Sequence, residues 1–346
     1  MGRRGRGTHS GGTGGCRALS RTIAIVDHAF APIEDERRIA EEAGVTLLTG
    51  ETLEEDGVID LAREADAILC DGAPITSRVL EALPRIRVVS EYGIGYDNID
   101  VAAATRLGVW VANVPGFCTT DVATHTIAMA LALVRNLVPF DRAVRAGIWG
   151  ATSQGPMRRT ASLTFGVVGF GRIGQAVASR AIAIGFRVLA WSPSGAALRG
   201  PALGVEAVGL PELLDRSDFV SLHVPVTPTT RGLIDRVAIA RMKPGSRLIN
   251  AGRGALVDEA ALVDALASGH LGGAALDVFP REPIPSDSPL LMRQDVLLTP
   301  HAAFYSEESL VELQVSAMRN AIAVLDGSAP ATPVNPEVSG RLRVSR

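Results

Sequence analysis

The stretch Phe165-Gly-Val-Val-Gly-Phe-Gly-Arg-Ile-Gly174 decides the fold of this 346-residue chain. Its apolar residues predict a buried strand, and the glycines that follow have the G-x-G-x-x-G spacing that joins such a strand to a helix. Gly169 permits a tight turn, Gly171 lets the backbone approach a pyrophosphate, and Gly174 lets the helix pack closely on the strand. The motif therefore predicts a dinucleotide-binding βαβ unit, with phosphates bound at the helix N-terminus.

The composition limits the class of protein. With 47% hydrophobic residues, 21% charged residues and a net charge of −3, the chain can bury sizeable cores and carries no basic excess that would favour nucleic acid. Its three cysteines lack metal-like spacing and fit a reducing compartment. The longest apolar stretch, residues 127–134, is far shorter than the roughly 20 residues that span a bilayer. We expect a cytoplasmic protein without a membrane or nucleic-acid partner.

From residue 21 onward, short β-branched runs alternate with helical stretches, which predicts parallel sheets in an α/β fold. The length favours two domains. In the first series, Asp100 is expected to cap a helix that Gly108 ends. The second series predicts a doubly wound sheet, with strands near residues 165–168, 187–190, 219–222, 247–250, 273–277 and 296–298.

Three further segments have their own expectations. Residues 1–20 are rich in glycine and arginine and are expected to be a disordered arm, and residues 336–346 a flexible tail. A helix from about residue 121 to residue 137 is apolar around nearly its whole circumference. Such a helix must be buried between layers or between subunits.

Three polar residues of the second series lie in short breaks between apolar runs, where a parallel sheet can bring them to one cleft. Arg253 follows the strand near 247–250 and can clamp a carboxylate and polarise a keto oxygen. His301 follows Pro300 at a strand end, and Glu282 can bond one of its ring nitrogens. The other nitrogen is then left to exchange a proton with a carbonyl oxygen. This set predicts a hydride-transfer enzyme that needs no metal.

Two more segments bear on binding. Tyr92-Gly-Ile-Gly95 follows a strand, and its backbone amides can form a small nest for a substrate carboxylate. The strand after the glycine motif ends without the carboxylate that usually bonds the adenosine ribose. Ser192, Ser194 or Arg199 could instead receive a 2′-phosphate, so the sequence leaves NAD and NADP both open.

Together these motifs resemble the D-isomer-specific 2-hydroxyacid dehydrogenase family from about residue 21 to residue 330, and look most like its branch of C-terminal-binding proteins. The resemblance implies that Arg253, Glu282 and His301 are catalytic. It also implies two Rossmann-like or flavodoxin-like domains and a homodimer formed through the helix near 121–137. The implied substrate domain is discontinuous, and the implied boundaries are 21–120 and 302–335 for that domain and 121–301 for the inserted NAD(P)-binding domain.

The resemblance assigns binding roles as well. Ile94 and Gly95 would offer amides to the substrate carboxylate, Phe304 would line the pocket, and Asp277 would hold the nicotinamide carboxamide. Glu91 stands where C-terminal-binding proteins have arginine, which would disfavour a second acidic group on the substrate. The predicted cofactor residues are Gly169, Phe170, Gly171, Arg172, Ile173, Gly174, Ser192, Val224, Pro225, Thr230, Ala251, Gly252 and Asp277. The predicted substrate residues are Tyr92, Gly93, Ile94, Gly95, Arg253 and Phe304.

The sequence thus predicts a reversible NAD(P)-dependent reductase that converts small 2-keto acids into D-2-hydroxy acids. Two alternatives stay open. One is an NAD(H)-sensing, corepressor-like binding protein in which hydride transfer is incidental, and the other is oxidation of formate or a similar small anion. Tight cofactor binding without turnover of any 2-keto acid would favour the sensor.

Overall fold

The computed structural model describes residues 21–28, 30 and 32–340, which divide into two α/β units. Within the described residues, the first unit comprises 21–92, 98–113 and 317–340, and the second comprises 93–97 and 114–316. The expected disordered arm at 1–20 and the last six residues of the expected flexible tail lie outside the described residues.

The first unit is built on a five-stranded parallel sheet with the order β2-β1-β3-β4-β5, the flavodoxin-like order. Its strands are β1 (Thr22–Ile25), β2 (Thr46–Thr49), β3 (Ala67–Cys70), β4 (Val88–Glu91) and β5 (Trp110–Ala112). Its helices include α1 (Glu34–Ala43), α2 (Glu55–Ala62), α3 (Ser77–Ala82) and α4 (Val101–Leu107).

Helix α4 begins and ends as its sequence predicts. The Asp100 carboxylate accepts a hydrogen bond from the amide of Ala103 at 2.8 Å and so satisfies an amide of the first helical turn. Gly108 ends the helix with φ 72°, a left-handed conformation that glycine adopts without strain. Both ends of α4 are therefore fixed by residues that the sequence shows.

The second unit contains a seven-stranded parallel sheet with the order β12-β11-β10-β9-β6-β7-β8. Its strands are β6 (Thr164–Val168), β7 (Arg187–Trp191), β8 (Glu206–Ala207), β9 (Phe219–Leu222), β10 (Ser246–Asn250), β11 (Leu271–Leu276) and β12 (Val296–Leu298). The strand order reverses between β6 and β9. In an open α/β sheet, ligands bind beyond the carboxyl ends of the strands at this point.

Helices cover both faces of this sheet. They are α5 (Thr119–Val134), α6 (Leu137–Arg145), α7 (Arg172–Ala183), α8 (Leu210–Arg216), α9 (Arg236–Arg241) and α10 (Glu259–Ala267). Val167 faces the core formed with α5 and α7, and the next residue, Val168, faces the core formed with α8, α9 and α10. This alternation confirms the predicted doubly wound architecture.

The apolar helix predicted near 121–137 is present as α5, which ends about three residues earlier than predicted. Helix α5 ends at Val134, and Asn136 has φ 48°, after which α6 begins. Within the described part of the chain no single helix is long and apolar enough to cross a membrane, and α5 and α6 meet that test only as a pair bent by 58°. Part of the apolar surface of α5 is buried in its own unit, including Val122, Ile127 and Met129.

Three predicted boundaries differ from the structure. Residues 336–340, expected to belong to a flexible tail, form a short 3-10 helix, and Val338 within it is fully buried. Residues 114–120 and 302–316, expected in the substrate domain, group with the second unit. The last of these boundaries falls within helix α11 (Glu307–Leu325), and a helix gives no compositional signal where its partners change.

Candidate active site

His301 and Glu282 form a hydrogen-bonded pair in the second unit. Nδ1 of His301 lies 2.7 Å from Oε2 of Glu282, and the other carboxylate oxygen accepts the amide of Phe279 at 2.9 Å. Burial opposes ionisation of Glu282, but these hydrogen bonds and the charges of His301 and Arg253 outweigh it and lower its pKa. Glu282 is therefore held as a carboxylate that fixes the orientation of the imidazole.

The loop that carries His301 is organised around Asp277, which directly follows β11. The fully buried carboxylate of Asp277 accepts hydrogen bonds from the Thr299 hydroxyl at 2.6 Å and from the amides of Ala302 and Ala303 at 2.9 Å each. His301, whose amide donates to the Asp277 carbonyl at 2.7 Å, has φ 53°, a conformation that costs energy for a residue other than glycine. These contacts hold the residue in that conformation.

Asp277 was predicted to hold the nicotinamide carboxamide, and the structure gives its carboxylate a different task. Both carboxylate oxygens are used inside the protein, and the side chain is 1% exposed. In this structure Asp277 therefore shapes the His301 loop. Its predicted contact with the nicotinamide carboxamide stays a prediction.

Arg253 lies in a tight turn after β10. The Asn250 side chain bridges this turn, because its Nδ2 donates to the Arg253 carbonyl at 2.9 Å and its Oδ1 accepts the Gly252 amide at 3.1 Å. Any side chain at Gly254 would overlap the Phe279 carbonyl carbon, so the turn packs directly on the backbone that leads to Glu282. The absence of a Cβ at Gly254 thus places Arg253 near the histidine–glutamate pair.

The predicted anion nest meets the guanidinium of Arg253. A Cβ on Gly95 would lie 2.6 Å from Cζ and 3.0 Å from Nε of Arg253, and closer still to Nη2. The guanidinium therefore lies against the Gly95 backbone. Nε of Arg253 also donates to Oδ2 of Asp97 at 3.3 Å, and Nη1 donates to the Gly252 carbonyl at 3.0 Å.

The glycine motif has the geometry that a dinucleotide requires. At Gly169, φ is 104°, and a Cβ there would overlap the His223 carbonyl, while a Cβ on Gly174 would overlap the Gly169 carbonyl. At Gly171 a Cβ would meet nothing within 4 Å, and this residue caps α7 without a side-chain hydrogen bond. The N-terminus of α7 is thus open for an approaching pyrophosphate, and the residues present fit an NAD(P) cofactor.

Some predicted cofactor residues contribute backbone rather than side chains. Phe170 is fully buried in the core shared with α7, and Val224 is 4% exposed in the opposite core. Thr230 is 3% exposed, and its hydroxyl donates to the Pro225 carbonyl at 2.6 Å and accepts the Thr227 amide at 2.8 Å. Thr230 therefore shapes the 225–230 turn instead of facing a ligand. Arg172, Ile173, Pro225, Ala251 and Gly252 keep some exposure beside these segments.

The residue predicted to lie near the adenosine ribose is partly exposed. Ser192 directly follows β7, and its hydroxyl lies 2.9 Å from that of Ser194. The third residue suggested for a 2′-phosphate, Arg199, has a side chain outside the described part of the structure. Residue 192 is thus a serine with a neutral hydroxyl, whereas an acidic residue at this position would repel the 2′-phosphate of NADP.

Two residues predicted for the substrate side are buried in the first unit. The Tyr92 side chain is 2% exposed and donates to Glu36 at 3.0 Å, so its ring belongs to that unit's core. Glu91 is 1% exposed and accepts from Cys70 and Asn98 at 3.2 Å each. Burial raises the pKa of Glu91 well above its usual value, and this burial offsets the repulsion of a second acidic group that was expected from its carboxylate.

Aromatic rings border the histidine. The Phe304 ring lies 6.1 Å from that of His301 and 6.1 Å from that of Phe117, measured between centroids. Burial raises the pKa of the adjacent Cys118 to about 12, so this thiol is protonated and is no nucleophile at neutral pH. Within the described residues, no group of three or more His, Cys, Asp or Glu side chains could hold a metal ion.

Three functional residues escape the sequence analysis. Asp97 bonds Arg253, Thr299 bonds Asp277, and His125 on α5 has Nε2 at 3.1 Å from the Thr299 hydroxyl. Since that hydroxyl donates to Asp277, it accepts from His125. The only sequence feature that could have indicated Thr299 is its position two residues before His301. Asp97 and His125 lie more than 150 positions from their partners.

Comparisons with known proteins identify the family of the chain. Residues 127–303 match the family model described as D-isomer specific 2-hydroxyacid dehydrogenase, NAD binding domain. A glyoxylate reductase of Korarchaeum cryptofilum is 42% identical over 287 residues, which are 81% of this chain and 86% of that protein. A D-3-phosphoglycerate dehydrogenase of Mycobacterium leprae is 45% identical over 71% of this chain, but the aligned part is only 46% of that longer protein.

A solved structure gives the same result. The D-lactate dehydrogenase of Aquifex aeolicus, in complex with NAD and lactic acid, superposes with a TM-score of 0.79 at 28% identity and covers 91% of this chain and 99% of that one. The family resemblance is therefore confirmed, whereas the narrower likeness to C-terminal-binding proteins stays a prediction. This chain belongs to the D-isomer-specific 2-hydroxyacid dehydrogenase family, whose members are NAD(P)-dependent oxidoreductases of small hydroxy and keto acids.

Proposed function

We propose that this chain reduces a small 2-keto monocarboxylate reversibly to the D-2-hydroxy acid, with Arg253, Glu282 and His301 as its catalytic residues. One observation supports this most strongly. Within the second unit, Arg253 lies against the Gly95 nest, and its charge also lowers the pKa of the Glu282 carboxylate that holds His301. An anion anchor and an oriented acid–base group therefore share one site.

The residues divide the chemistry between them. Arg253 and the backbone near Gly95 bind the substrate carboxylate and polarise its keto oxygen. Because Glu282 holds Nδ1 of His301, Nε2 is the atom that gives a proton to the keto oxygen in reduction and accepts it in oxidation. Glu282 stabilises the imidazolium form that the proton transfer requires. A nicotinamide cofactor held by the glycine motif would supply the hydride.

The size and charge of the substrate follow from the rings beside the histidine. The Phe304 ring lies next to His301 and is backed by Phe117, and neither ring offers a charge to a second acidic group. We therefore expect glyoxylate or pyruvate to be reduced faster than a phosphorylated 2-keto acid. A higher kcat/KM for a phosphorylated substrate would contradict this expectation.

For the cofactor, we propose that NADPH is accepted in addition to NADH. Ser192 has no charge to repel a 2′-phosphate, and the hydroxyls of Ser192 and Ser194 can donate to it. Ser192→Asp should raise the KM for NADPH at least about tenfold, because one repelled charge contact costs roughly 1.4 kcal/mol or more, and should leave NADH nearly unaffected. An unchanged ratio of the two KM values would show that residue 192 does not face the ribose.

We also propose a homodimer formed through α5 and α6. Leu137, Val144, Ile148 and Trp149 lie on α6 and just after it, and their side chains are 51–88% exposed. Clustered exposed apolar side chains of this size usually mark an interface. Light scattering on the purified protein should give twice the chain mass, and a monomer at micromolar concentration would rule the proposal out.

A cytoplasmic location is part of the same proposal. Cys70 and Cys118, the two described cysteines, are free and buried, and a reducing compartment keeps such thiols reduced. A fluorescent fusion that left the cytoplasm would contradict this location.

The decisive experiment measures oxidation of NADH and NADPH with glyoxylate and pyruvate. His301→Ala should keep cofactor affinity within about threefold while lowering kcat about 10²-fold or more, the usual contribution of a general acid. His270→Ala is the matched control, because that imidazole bonds only the Ile239 carbonyl, at 2.9 Å, among the residues that the structure describes. Tight cofactor binding with no turnover of either substrate by the wild type would favour the sensor instead.

A further inference from the structure

The guanidinium of Arg253 uses its donors unequally. Nε donates to Asp97 at 3.3 Å, and Nη1 donates to the Gly252 carbonyl at 3.0 Å. Nη2 lies against Gly95 and donates no hydrogen bond to any residue in the described part of the chain. Of the five N–H groups of an arginine, three therefore remain for an anion, and both on Nη2 are among them.

The position of Asp97 explains this division. Asp97 belongs to the same five-residue segment as the Gly95 nest, so its carboxylate and the nest move together. Asp97 bonds Arg253 through Nε alone, so both N–H groups of Nη2 and the second N–H group of Nη1 stay available to a substrate carboxylate. An arginine side chain without such a contact samples many rotamers, because its stem carries about 2 kcal/mol of rotamer entropy.

We propose that Asp97 is a positioning residue that selects the edge of Arg253 presented to the substrate carboxylate. This inference rests on the function proposed above. The Asp97 hydrogen bond holds the Nε side of the guanidinium, the Gly252 carbonyl holds Nη1, and the Nη2 side faces the nest. The site then has two nitrogen-bearing side chains, each oriented by its own carboxylate, since Glu282 holds His301 in the same way.

A competing physical reading makes the opposite prediction. If Asp97 stood in for the substrate, its carboxylate would have to leave Arg253 before each turnover, and removing it would tighten substrate binding. The single contact at Nε argues for positioning, because a stand-in would use the same bidentate edge as the substrate. Substitution at residue 97 separates the two readings.

The experiment compares Asp97→Asn with Asp97→Ala in the full chain. The asparagine keeps an oxygen that accepts from Nε, whereas the alanine removes it. We expect Asp97→Ala to lower kcat/KM for glyoxylate about 10–100-fold, since small misplacements of a binding group cost up to about 10²-fold. Asp97→Asn should lose less than about threefold. The alanine variant should also bind oxamate, an unreactive keto-acid analogue, about tenfold more weakly in the presence of cofactor, as measured by calorimetry.

Two controls isolate the effect. Asp264→Ala removes an exposed aspartate of the same unit that pairs with Arg236 at 2.6 Å, and should leave activity unchanged. In an Arg253→Ala background, Asp97→Ala should have no further effect on kcat/KM, because the two residues would then act as one unit.

Several results would overturn the inference. They are tighter oxamate binding in Asp97→Ala, equal losses in the asparagine and alanine variants, or an undiminished effect without Arg253. If the wild type turns over glyoxylate but Asp97→Ala is as active, only this inference fails. If the wild type turns over no 2-keto acid, the proposed function fails, and oxamate affinity still tests the role of Asp97.

Discussion

Gly95→Ala should disable the enzyme without unfolding it. The new Cβ would lie 2.6 Å from Cζ of Arg253, and a normal contact between two carbons is about 3.5 Å or more. The guanidinium must therefore withdraw by at least about 1 Å. A displacement of this size costs about 10²-fold in rate, which corresponds to roughly 2.7 kcal/mol in the activation barrier.

The stability of the same variant should hardly change. The obstructing atoms are the far end of a flexible side chain, which can rotate into solvent, and Gly95 is not among the glycines with positive φ. Replacing a glycine in an allowed conformation also lowers the entropy of the unfolded chain and adds about 0.4–1 kcal/mol.

The assay pairs kcat/KM for glyoxylate with urea denaturation. Gly116→Ala is the matched control, because a Cβ there meets nothing within 4 Å, and both its activity and its stability should stay near the wild-type values. If Gly95→Ala retained activity within about threefold of the wild type, Arg253 would not need its observed position. The placement of the substrate carboxylate at this nest would then be wrong.

The remaining predictions concern the carboxylates around His301. Asp277→Asn places an amide donor against a backbone amide such as that of Ala303. The free energy of unfolding should therefore fall by about 1–3 kcal/mol, and kcat should fall as well. A variant with wild-type stability in urea would contradict this hydrogen-bond arrangement. Glu282→Gln should lower kcat about 10²-fold or more. Because the pKa of Glu282 is lower in the folded chain, its stabilisation is present above the unfolded pKa and is lost as pH falls through the folded value. The glutamine variant should therefore lose less stability than the wild type on acidification, and an equal loss would place the titrating group elsewhere.

Local features of the chain predict much of the fold. The strand and glycines at 165–174, the Asp100 cap and the Gly108 terminator all depend on residues within one turn of each other, and the structure has each of them where it was expected. The sheet orders follow from alternating strands and helices. The end of α5 was predicted about three residues too late, because the left-handed φ of Asn136 stops the helix where the sequence has no glycine to mark its end.

Contacts between distant segments account for the errors at the site. Tyr92 and Glu91 adjoin the predicted nest in sequence, yet successive residues near a strand end face different sides, and both side chains are buried in the first unit. Asp277 was assigned to the ligand by resemblance alone. Its partners in the structure are Thr299 and the amides after His301. They lie beside Asp277 because β11 and β12 are neighbouring strands, a pairing that the local sequence does not reveal.

The three carboxylates of the site differ in whether they orient a side chain or stabilise the fold. The pairs Glu282–His301 and Asp97–Arg253 are between 35% and 52% exposed, and ion pairs with this exposure contribute only about 0–1 kcal/mol to folding. Asp277, by contrast, is fully buried and satisfies backbone amides whose loss would cost the fold directly. Since Glu282 and Asp97 stabilise the fold so little, we explain their presence by the orientation that they give to His301 and Arg253. The chain therefore orients Arg253 and His301, the proposed catalytic residues, through pairs that water can reach, and supports the loop of His301 with a carboxylate that water cannot reach.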